Sequence, residues 1–146
     1  MKKVEQAFFI IKPEGTPFRT KIKEYITNSG LILVRSDPMI LNEQDIVSIY
    51  LDDIGSRLMA ATYSHLLGRE IEAGIIEGED AIERFWNICG DKPDNLMCKE
   101  GTIRRDFGME PLEYDGVTYF QNCIHKASKK EARAAIKWFY RKINSN

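Results

Sequence analysis

Short apolar runs alternate with stretches of helical periodicity along this chain. The run at residues 6–12 is aromatic and β-branched and is ended by Pro13 and Gly15, which predicts a central strand covered on both faces. A second strand is predicted over residues 31–34 and 39–41, interrupted by Pro38 near an edge or bend. A third strand is predicted at 70–76 and a fourth at 117–124. The last of these strands runs directly into His125.

Apolar residues at helical spacing predict helices between these strands. The helices lie near residues 22–28, within 43–67 with a break at Gly55, at 80–89 and at 132–143. The order β-α-β-(αα)-β-α-β-α predicts an α+β fold of the ferredoxin-like, split βαβ type, with a four-stranded antiparallel sheet, an inserted helical pair and a C-terminal helix. We expect one domain over residues 1–146.

The composition narrows the classes of partner. Hydrophobic residues make up 43% and charged residues 29% of the chain, which is typical of a globular protein. The net charge of −1 lacks the basic excess of nucleic-acid-binding domains, so no nucleic-acid partner is expected. No apolar run is long enough for a membrane span, and three cysteines without a CxxC pair predict reduced thiols in a cytoplasmic protein.

Three segments carry residues suited to phosphate chemistry. Lys12 stands at the exit of the first strand and is placed to neutralise a phosphate oxygen. His125 is mostly neutral at pH 7, so its ring nitrogen is a potential nucleophile. Arg104 and Arg105 follow a loop and could clamp phosphate oxygens. Each residue taken alone more often has an ordinary structural or solvated role.

Taken together, these segments resemble the nucleoside diphosphate kinase family. The chain reads Lys-Pro-Glu-Gly at 12–15, Gly-Thr-Ile-Arg-x-Asp-Phe at 101–107 and Asn-x-x-His at 122–125, in the family's order. The resemblance implies the family's fold and its reaction. In that reaction the γ-phosphate of a nucleoside triphosphate is transferred to a nucleoside diphosphate by a ping-pong mechanism through a phosphohistidine.

The resemblance also implies roles for matching residues. His125 would carry the phosphate, Lys12 would contact phosphate and ribose, Asn122 would hold the ribose hydroxyl, Arg104 would contact the phosphates, and Tyr50 would lie close to His125. Mg²⁺ would be held mainly by the nucleotide phosphates, which agrees with the lack of a metal-ligand cluster in the sequence. The implied partners are nucleoside di- and triphosphates and further copies of the chain in a homo-oligomer.

Several positions depart from the family pattern. Leu58 stands where the family stacks a phenylalanine on the base, and Trp86 and Lys92 stand where an arginine and a threonine reach the phosphates. After His125 the chain has Lys-Ala-Ser in place of Gly-Ser-Asp. Ala134 falls where a glutamate orients the histidine, with Glu131 at a different spacing. Extra residues within 108–121 lengthen a loop that often helps subunits of the family to assemble.

Two functional classes follow from this mixture. The first is an active nucleoside diphosphate kinase with altered rate or base preference, favoured by the retained His125, Lys12, Arg104 and Asn122. The second is a kinase-like domain that binds a nucleotide or a protein partner with little turnover, favoured by the lost glutamate. A ferredoxin-like RNA-binding domain would need a basic surface and exposed aromatic residues, which the sequence does not indicate.

Overall fold

A computed structural model describes residues 3–145. The strands are β1 (Val4–Ile11), β2 (Ile32–Ile40), β3 (Glu70–Glu79), β4 (Leu112–Tyr114), β5 (Val117–Tyr119) and β6 (Ile124–Lys126). The helices are α1 (Arg19–Asn28), α2 (Glu43–Ile49), α3 (Arg57–Leu66), α4 (Ala81–Cys89), α5 (Ile103–Phe107) and α6 (Lys129–Asn144). Short 3₁₀ turns lie at Pro13–Phe18, Leu51–Asp53 and Asn95–Met97. None of the helices in residues 3–145 is both long and apolar enough to cross a bilayer.

A four-stranded sheet in the order β2-β3-β1-β6 forms the centre of the fold, and all its pairings are antiparallel. Successive side chains of β1 point to opposite faces of the sheet, and both faces are covered by helices. Phe8 and Ile10 pack with residues of α2, α3 and α6. Phe9 and Ile11 pack with residues of α1 and α4 on the other face. The predicted α+β fold, its central first strand and its inserted helical pair are confirmed.

Two details of the predicted strands differ from the structure. Strand β2 runs through Pro38 without interruption, because β2 is an edge strand and proline is tolerated in edge strands. Its irregularity lies instead at a register shift between Leu33 and Arg35.

The predicted strand at 117–124 is wrong as a single element. Residues 117–119 form β5, which pairs with β4 in a separate hairpin. Asp115 and Gly116 adopt positive φ values of 49° and 78°, as a two-residue hairpin turn requires. The fourth strand of the sheet is β6, which contains His125 rather than preceding it. Cys123, with φ of 62°, redirects the chain between the two elements.

The segment after β1 packs directly against the segment before β6. The Lys12 N–H donates to the Cys123 carbonyl at 2.9 Å, and the Cys123 N–H donates to Glu14 Oε2 at 3.0 Å. A Cβ atom at Gly15 would lie 2.7 Å from the Cys123 carbonyl oxygen and 3.0 Å from a methyl group of Ile11. Only glycine fits at this point without a shift of the backbone.

We therefore expect Gly15→Ala to push these two segments apart. Overpacking of this kind lowers the free energy of unfolding by about 1–3 kcal/mol, measured by urea denaturation. Ser64→Ala, on the exposed face of α3, is the control and should change that free energy by less than about 0.5 kcal/mol. Equal stabilities of the Gly15→Ala and control variants would contradict the close packing described above.

Candidate functional site

A cleft of about 120 Å³ opens beside the end of β1 and the start of β6. It brings together six of the residues singled out from the sequence, namely Lys12, Tyr50, Leu58, Arg104, Asn122 and His125. Asp53, Thr62, Pro93, Tyr119 and Phe120 complete its lining. The cleft is smaller than a typical small-molecule site, so a nucleotide-sized ligand would extend beyond it.

His125 lies on β6, in register with Ile10 of β1, and its side chain is 15% exposed. The Tyr50 ring packs against the imidazole, with ring centroids 4.2 Å apart. Burial, together with the positive charges of Lys12 and Arg104, lowers the pKa of His125 to about 3. The ring is therefore neutral at pH 7 and keeps a nitrogen lone pair.

A carboxylate faces the imidazole, contrary to the expectation that this histidine lacks one. Glu131 Oε1 lies 3.9 Å from His125 Nε2, and the Glu131 side chain is buried. The capping box at the start of α6 explains this position: Ser128 Oγ accepts from the Glu131 N–H, and the Glu131 carboxylate accepts from the Ser128 N–H. The side chain thus turns back toward β6. Its second oxygen accepts the Asp52 N–H at 3.1 Å.

Lys12 leaves β1 and is almost fully buried in the cleft. Its ammonium donates to the Phe120 carbonyl at 3.3 Å and lies 4.4 Å from the centroid of the Tyr119 ring. Burial lowers the pKa of Lys12 to about 8, against the opposing effect of the nearby Glu14 carboxylate. Lys12 is therefore mostly charged at pH 7 and loses that charge in mildly alkaline solution.

Arg104 lies on α5, a short helix that the sequence pattern did not predict. Its guanidinium is buried and donates to the Ile124 carbonyl from Nε and Nη2 and to the Lys92 carbonyl from Nη1, at 3.3, 3.0 and 2.9 Å. The side chain thus ties the loop at Lys92 to β6. Its charge adds positive potential to the cleft, and three of its five N–H donors are paired with backbone carbonyls.

Three buried polar atoms in this cleft have no hydrogen-bond partner. Within residues 3–145 they are Tyr50 Oη, Asn122 Oδ1 and His125 Nε2. The amide nitrogen of Asn122 is held by the Pro93 carbonyl at 2.8 Å, which fixes the orientation of the side chain. Buried polar groups are normally paired, so unpaired ones gathered in one cleft indicate a ligand-binding site.

Trp86 and Lys92, which the family resemblance places among the nucleotide-binding residues, do not line this cleft. Trp86 lies on α4, donates from Nε1 to the Ala127 carbonyl at 3.3 Å, and packs under the Lys126 ammonium, 3.8 Å from the ring centroid. Lys92 is about half exposed and lines a separate groove. Only its backbone carbonyl reaches toward the cleft, through Arg104.

Five lining residues were not singled out from the sequence, namely Asp53, Thr62, Pro93, Tyr119 and Phe120. Asp53 lies on the 3₁₀ turn that follows Tyr50, and Thr62 follows Leu58 by one helical turn on α3, so helical spacing could have found both. Tyr119 and Phe120 belong to the extra residues within 108–121, for which no sequence signal indicated a contribution to the cleft. Residues 3–145 contain no group of three or more side chains arranged to hold a metal ion.

A family model and individual relatives that match this chain all belong to one protein family. The family model described as "Nucleoside diphosphate kinase" matches residues 5–144. The chain is 26% identical over 141 residues to the nucleoside diphosphate kinase of Glaesserella parasuis serovar 5, covering 94% of this chain and 95% of that one. It is 27% identical over 143 residues to that of Wigglesworthia glossinidia brevipalpis, covering 96% and 94%.

Solved structures resemble the whole fold. The transition-state mimic of the nucleoside diphosphate kinase from Borrelia burgdorferi with bound vanadate and ADP gives a TM-score of 0.82 at 22% identity, covering 93% of this chain and 86% of that one. The enzyme of Halobacterium salinarum in complex with CDP gives a TM-score of 0.78 at 22% identity, covering 94% and 88%. At these identities the structural likeness concerns the fold.

Proposed function

The chain belongs to the nucleoside diphosphate kinase family, and we propose on this premise that His125 carries the phosphate between two nucleotides. The family's reaction is the transfer of the γ-phosphate of a nucleoside triphosphate to a nucleoside diphosphate, so the protein is a phosphotransferase. The observation that carries the role of His125 is a neutral imidazole in a cationic cleft with unpaired buried polar atoms.

The geometry favours one nitrogen of His125 as the nucleophile. In a neutral imidazole one nitrogen holds the proton and the other a lone pair. Nε2 faces the Glu131 carboxylate, so the tautomer with the proton on Nε2 is favoured, and Nδ1 keeps the lone pair. In the first half-reaction the Nδ1–P bond forms and the bond from phosphorus to the β–γ bridging oxygen breaks. The electron pair leaves with the nucleoside diphosphate, and a second diphosphate reverses these events.

The positive charges of the cleft stabilise the negative charge of the transferred phosphoryl group. Phosphoryl transfer depends on positioning and electrostatic stabilisation more than on proton transfer by the protein. Lys12 can give up its bond to the Phe120 carbonyl and donate to a phosphate oxygen, while Arg104 contributes charge from the cleft wall. The free Asn122 Oδ1 and Tyr50 Oη can pair with polar groups of the bound nucleotide.

We further propose Mg²⁺ as the cofactor. Mg²⁺ is commonly bound by one or two carboxylates together with substrate phosphates, and the Asp53 carboxylate on the cleft wall fits that role. The nucleotide phosphates would supply most of the ligands, and the ion would neutralise part of their charge.

We further propose that the protein is cytoplasmic and forms a homo-oligomer. The cysteines at positions 89, 98 and 123 are buried free thiols, which supports a cytoplasmic location.

The edge strand β2 exposes the apolar side chains of Ile32, Val34 and Ile40, which supports association with further copies of a single-domain chain. Light scattering after size-exclusion chromatography measures the number of subunits.

Labelling with γ-labelled ATP and Mg²⁺, followed by unlabelled GDP, tests the proposed function. We expect acid-labile label on the protein that moves to GDP. Binding of ATP without labelling would instead support the second functional class, a kinase-like domain that binds nucleotides with little turnover.

Glu131→Gln removes the charge that faces His125. Glutamine retains one side-chain oxygen that can accept the Ser128 N–H and preserve the capping box, while its amide nitrogen cannot accept the Asp52 N–H as Glu131 Oε2 does. Loss of a negative charge 3.9 Å from Nε2 is expected to slow phosphorylation roughly tenfold, measured by rapid-quench labelling. Gln44→Glu, at an exposed position of α2, is a charge-changing control that should leave the rate unaltered. An unaltered rate in Glu131→Gln would mean that the carboxylate serves only as a cap.

A further inference from the structure

The β4–β5 hairpin, residues 112–119, contributes Tyr119 to the lining of the cleft, although it lies outside the central sheet. We propose that Tyr119, at the end of this hairpin, is a positioning residue that holds the Lys12 ammonium in place for phosphate binding. The proposal rests on the function assigned above to Lys12 and His125.

Two contacts from the hairpin reach the ammonium. The Tyr119 ring lies under Lys12 Nζ at 4.4 Å from the centroid, within the range of a cation–π interaction. The next residue, Phe120, accepts from the same nitrogen through its carbonyl at 3.3 Å. Tyr119 is 4% exposed, so this contact is shielded from water, where the attraction of a ring face for a cation is strongest.

The hairpin is fixed to the rest of the molecule through a buried histidine of α3. His65 Nδ1 lies 3.2 Å from Tyr114 Oη, and the His65 ring packs on the Tyr119 ring with centroids 4.4 Å apart. On its other side, His65 Nε2 pairs with Glu14 Oε1 at 2.7 Å. Glu14 follows Lys12 by two residues, so the contacts close a ring that returns to the same lysine.

This ring of contacts explains why Lys12 can keep a fixed position without an ion pair of its own. Among the described residues, its ammonium has the Phe120 carbonyl as its hydrogen-bond partner, and the Glu14 carboxylate is occupied by His65 and the Cys123 N–H. A carbonyl and a ring face hold the cation without neutralising it. The positive charge therefore remains available to an incoming phosphate.

The test compares Tyr119→Leu, which removes the ring face, with Tyr119→Phe, which keeps it. We expect kcat/KM for phosphorylation by ATP to fall about tenfold in the leucine variant and to recover to at least about half of the wild-type value in the phenylalanine variant. Thr118→Ala, on the exposed side of β5, is the hairpin control and should match the wild type. A phenylalanine variant as slow as the leucine variant, or a leucine variant as fast as the wild type, overturns the proposal.

A double-mutant cycle with Lys12→Met separates positioning from general damage to the fold. If Tyr119 acts through Lys12, Tyr119→Leu causes no further loss of kcat/KM in the Lys12→Met background. An equal loss in both backgrounds means that Tyr119 serves the fold alone.

A readout independent of activity keeps the two proposals distinguishable. Acetylation of Lys12 by acetic anhydride, followed by mass spectrometry, reports the exposure of the ammonium whether or not His125 is phosphorylated. We expect acetylation at least about threefold faster in Tyr119→Leu and unchanged in Thr118→Ala. If the wild type is not labelled by ATP but this difference appears, the proposed function fails while the positioning role stands. Equal acetylation rates overturn the positioning role.

Discussion

His125→Ala is expected to abolish the acid-labile phosphate on the protein and to lower phosphate transfer between nucleotides by roughly 10³-fold or more. The imidazole is the only ring nitrogen nucleophile among the residues that line the cleft. The second histidine, His65, is fully buried and engaged on both of its nitrogens. Labelling with γ-labelled ATP followed by acid treatment measures the first effect, and coupled assays of nucleotide exchange measure the second.

The same substitution should leave the fold intact. His125 Nε2 has no hydrogen-bond partner in residues 3–145, so its removal breaks no hydrogen bond and relieves a buried unpaired group. The loss of packing against the Tyr50 ring works in the opposite direction. We therefore expect the free energy of unfolding to change by no more than about 1–2 kcal/mol.

Nucleotide binding provides the control for this experiment. ADP should bind His125→Ala within a few-fold of the wild type, because Lys12, Asn122 and Tyr50 remain. His125→Gln, which preserves more of the side-chain volume, should be equally inactive. Acid-labile label that persists in either variant would assign the phosphate to another residue and overturn the proposed role of His125.

Much of the fold could be predicted because local pattern and tertiary structure agree. The run at 6–12 is apolar on both faces, and β1 lies in the middle of the sheet with both faces covered. The stripe of α6, including Ala132, Ala135 and Phe139, faces the core as its spacing predicts. Such agreement is expected where each side chain is selected mainly for burial.

The region before His125 could not be predicted in the same way. Residues 117–124 have the strand propensity of one continuous element, but Asp115-Gly116 folds 117–119 back on 112–114. The left-handed conformation at Cys123 then starts a new strand, and nothing in the identity of a cysteine signals a positive φ. The consequence is functional, since this break brings Tyr119 and Asn122 into the cleft together with His125.

The position of the Glu131 carboxylate near His125 could not be predicted from residue spacing. Matching residues by spacing pointed to Ala134 and set Glu131 aside, because spacing assumes an extended side chain on a regular helix. The capping box instead turns Glu131 back toward the N-terminus of α6. Trp86 matches the family by its spacing, but its ring packs under Lys126 and does not line the cleft.

Lys12→Met is the second substitution for which we expect a large effect, and it should act on activity and stability in opposite directions. Loss of the ammonium removes a cation that would pair with phosphate, so phosphorylation by ATP should slow by roughly 10²-fold or more. At the same time the variant no longer buries a charged group. The difference between the ordinary pKa of 10.5 and the value of about 8 in the fold corresponds to roughly 3 kcal/mol at most, by which Lys12→Met should be more stable at pH 7.

The loss of the Lys12 charge at alkaline pH should likewise lower activity and raise stability. In the wild type, kcat/KM should fall as pH rises above about 8, because the free enzyme then loses the charge of Lys12. Stability should rise over the same range up to about 10.5, because there the unfolded chain binds a proton that the folded chain does not. The alkaline fall of kcat/KM and the alkaline rise of stability should both be smaller or absent in Lys12→Met. The comparison with this variant is needed because burial also lowers the pKa of Lys126 to about 8, so Lys126 titrates in the same range.

Lys12→Arg completes this test. An arginine stays charged throughout the range, so the alkaline fall of kcat/KM should disappear even if the larger head group fits poorly against the Tyr119 ring and the Phe120 carbonyl. An alkaline limb that persists unchanged in Lys12→Arg and Lys12→Met would assign the titration to another group. Lys12 would then be a buried structural lysine, and the cleft would owe its positive charge to Arg104.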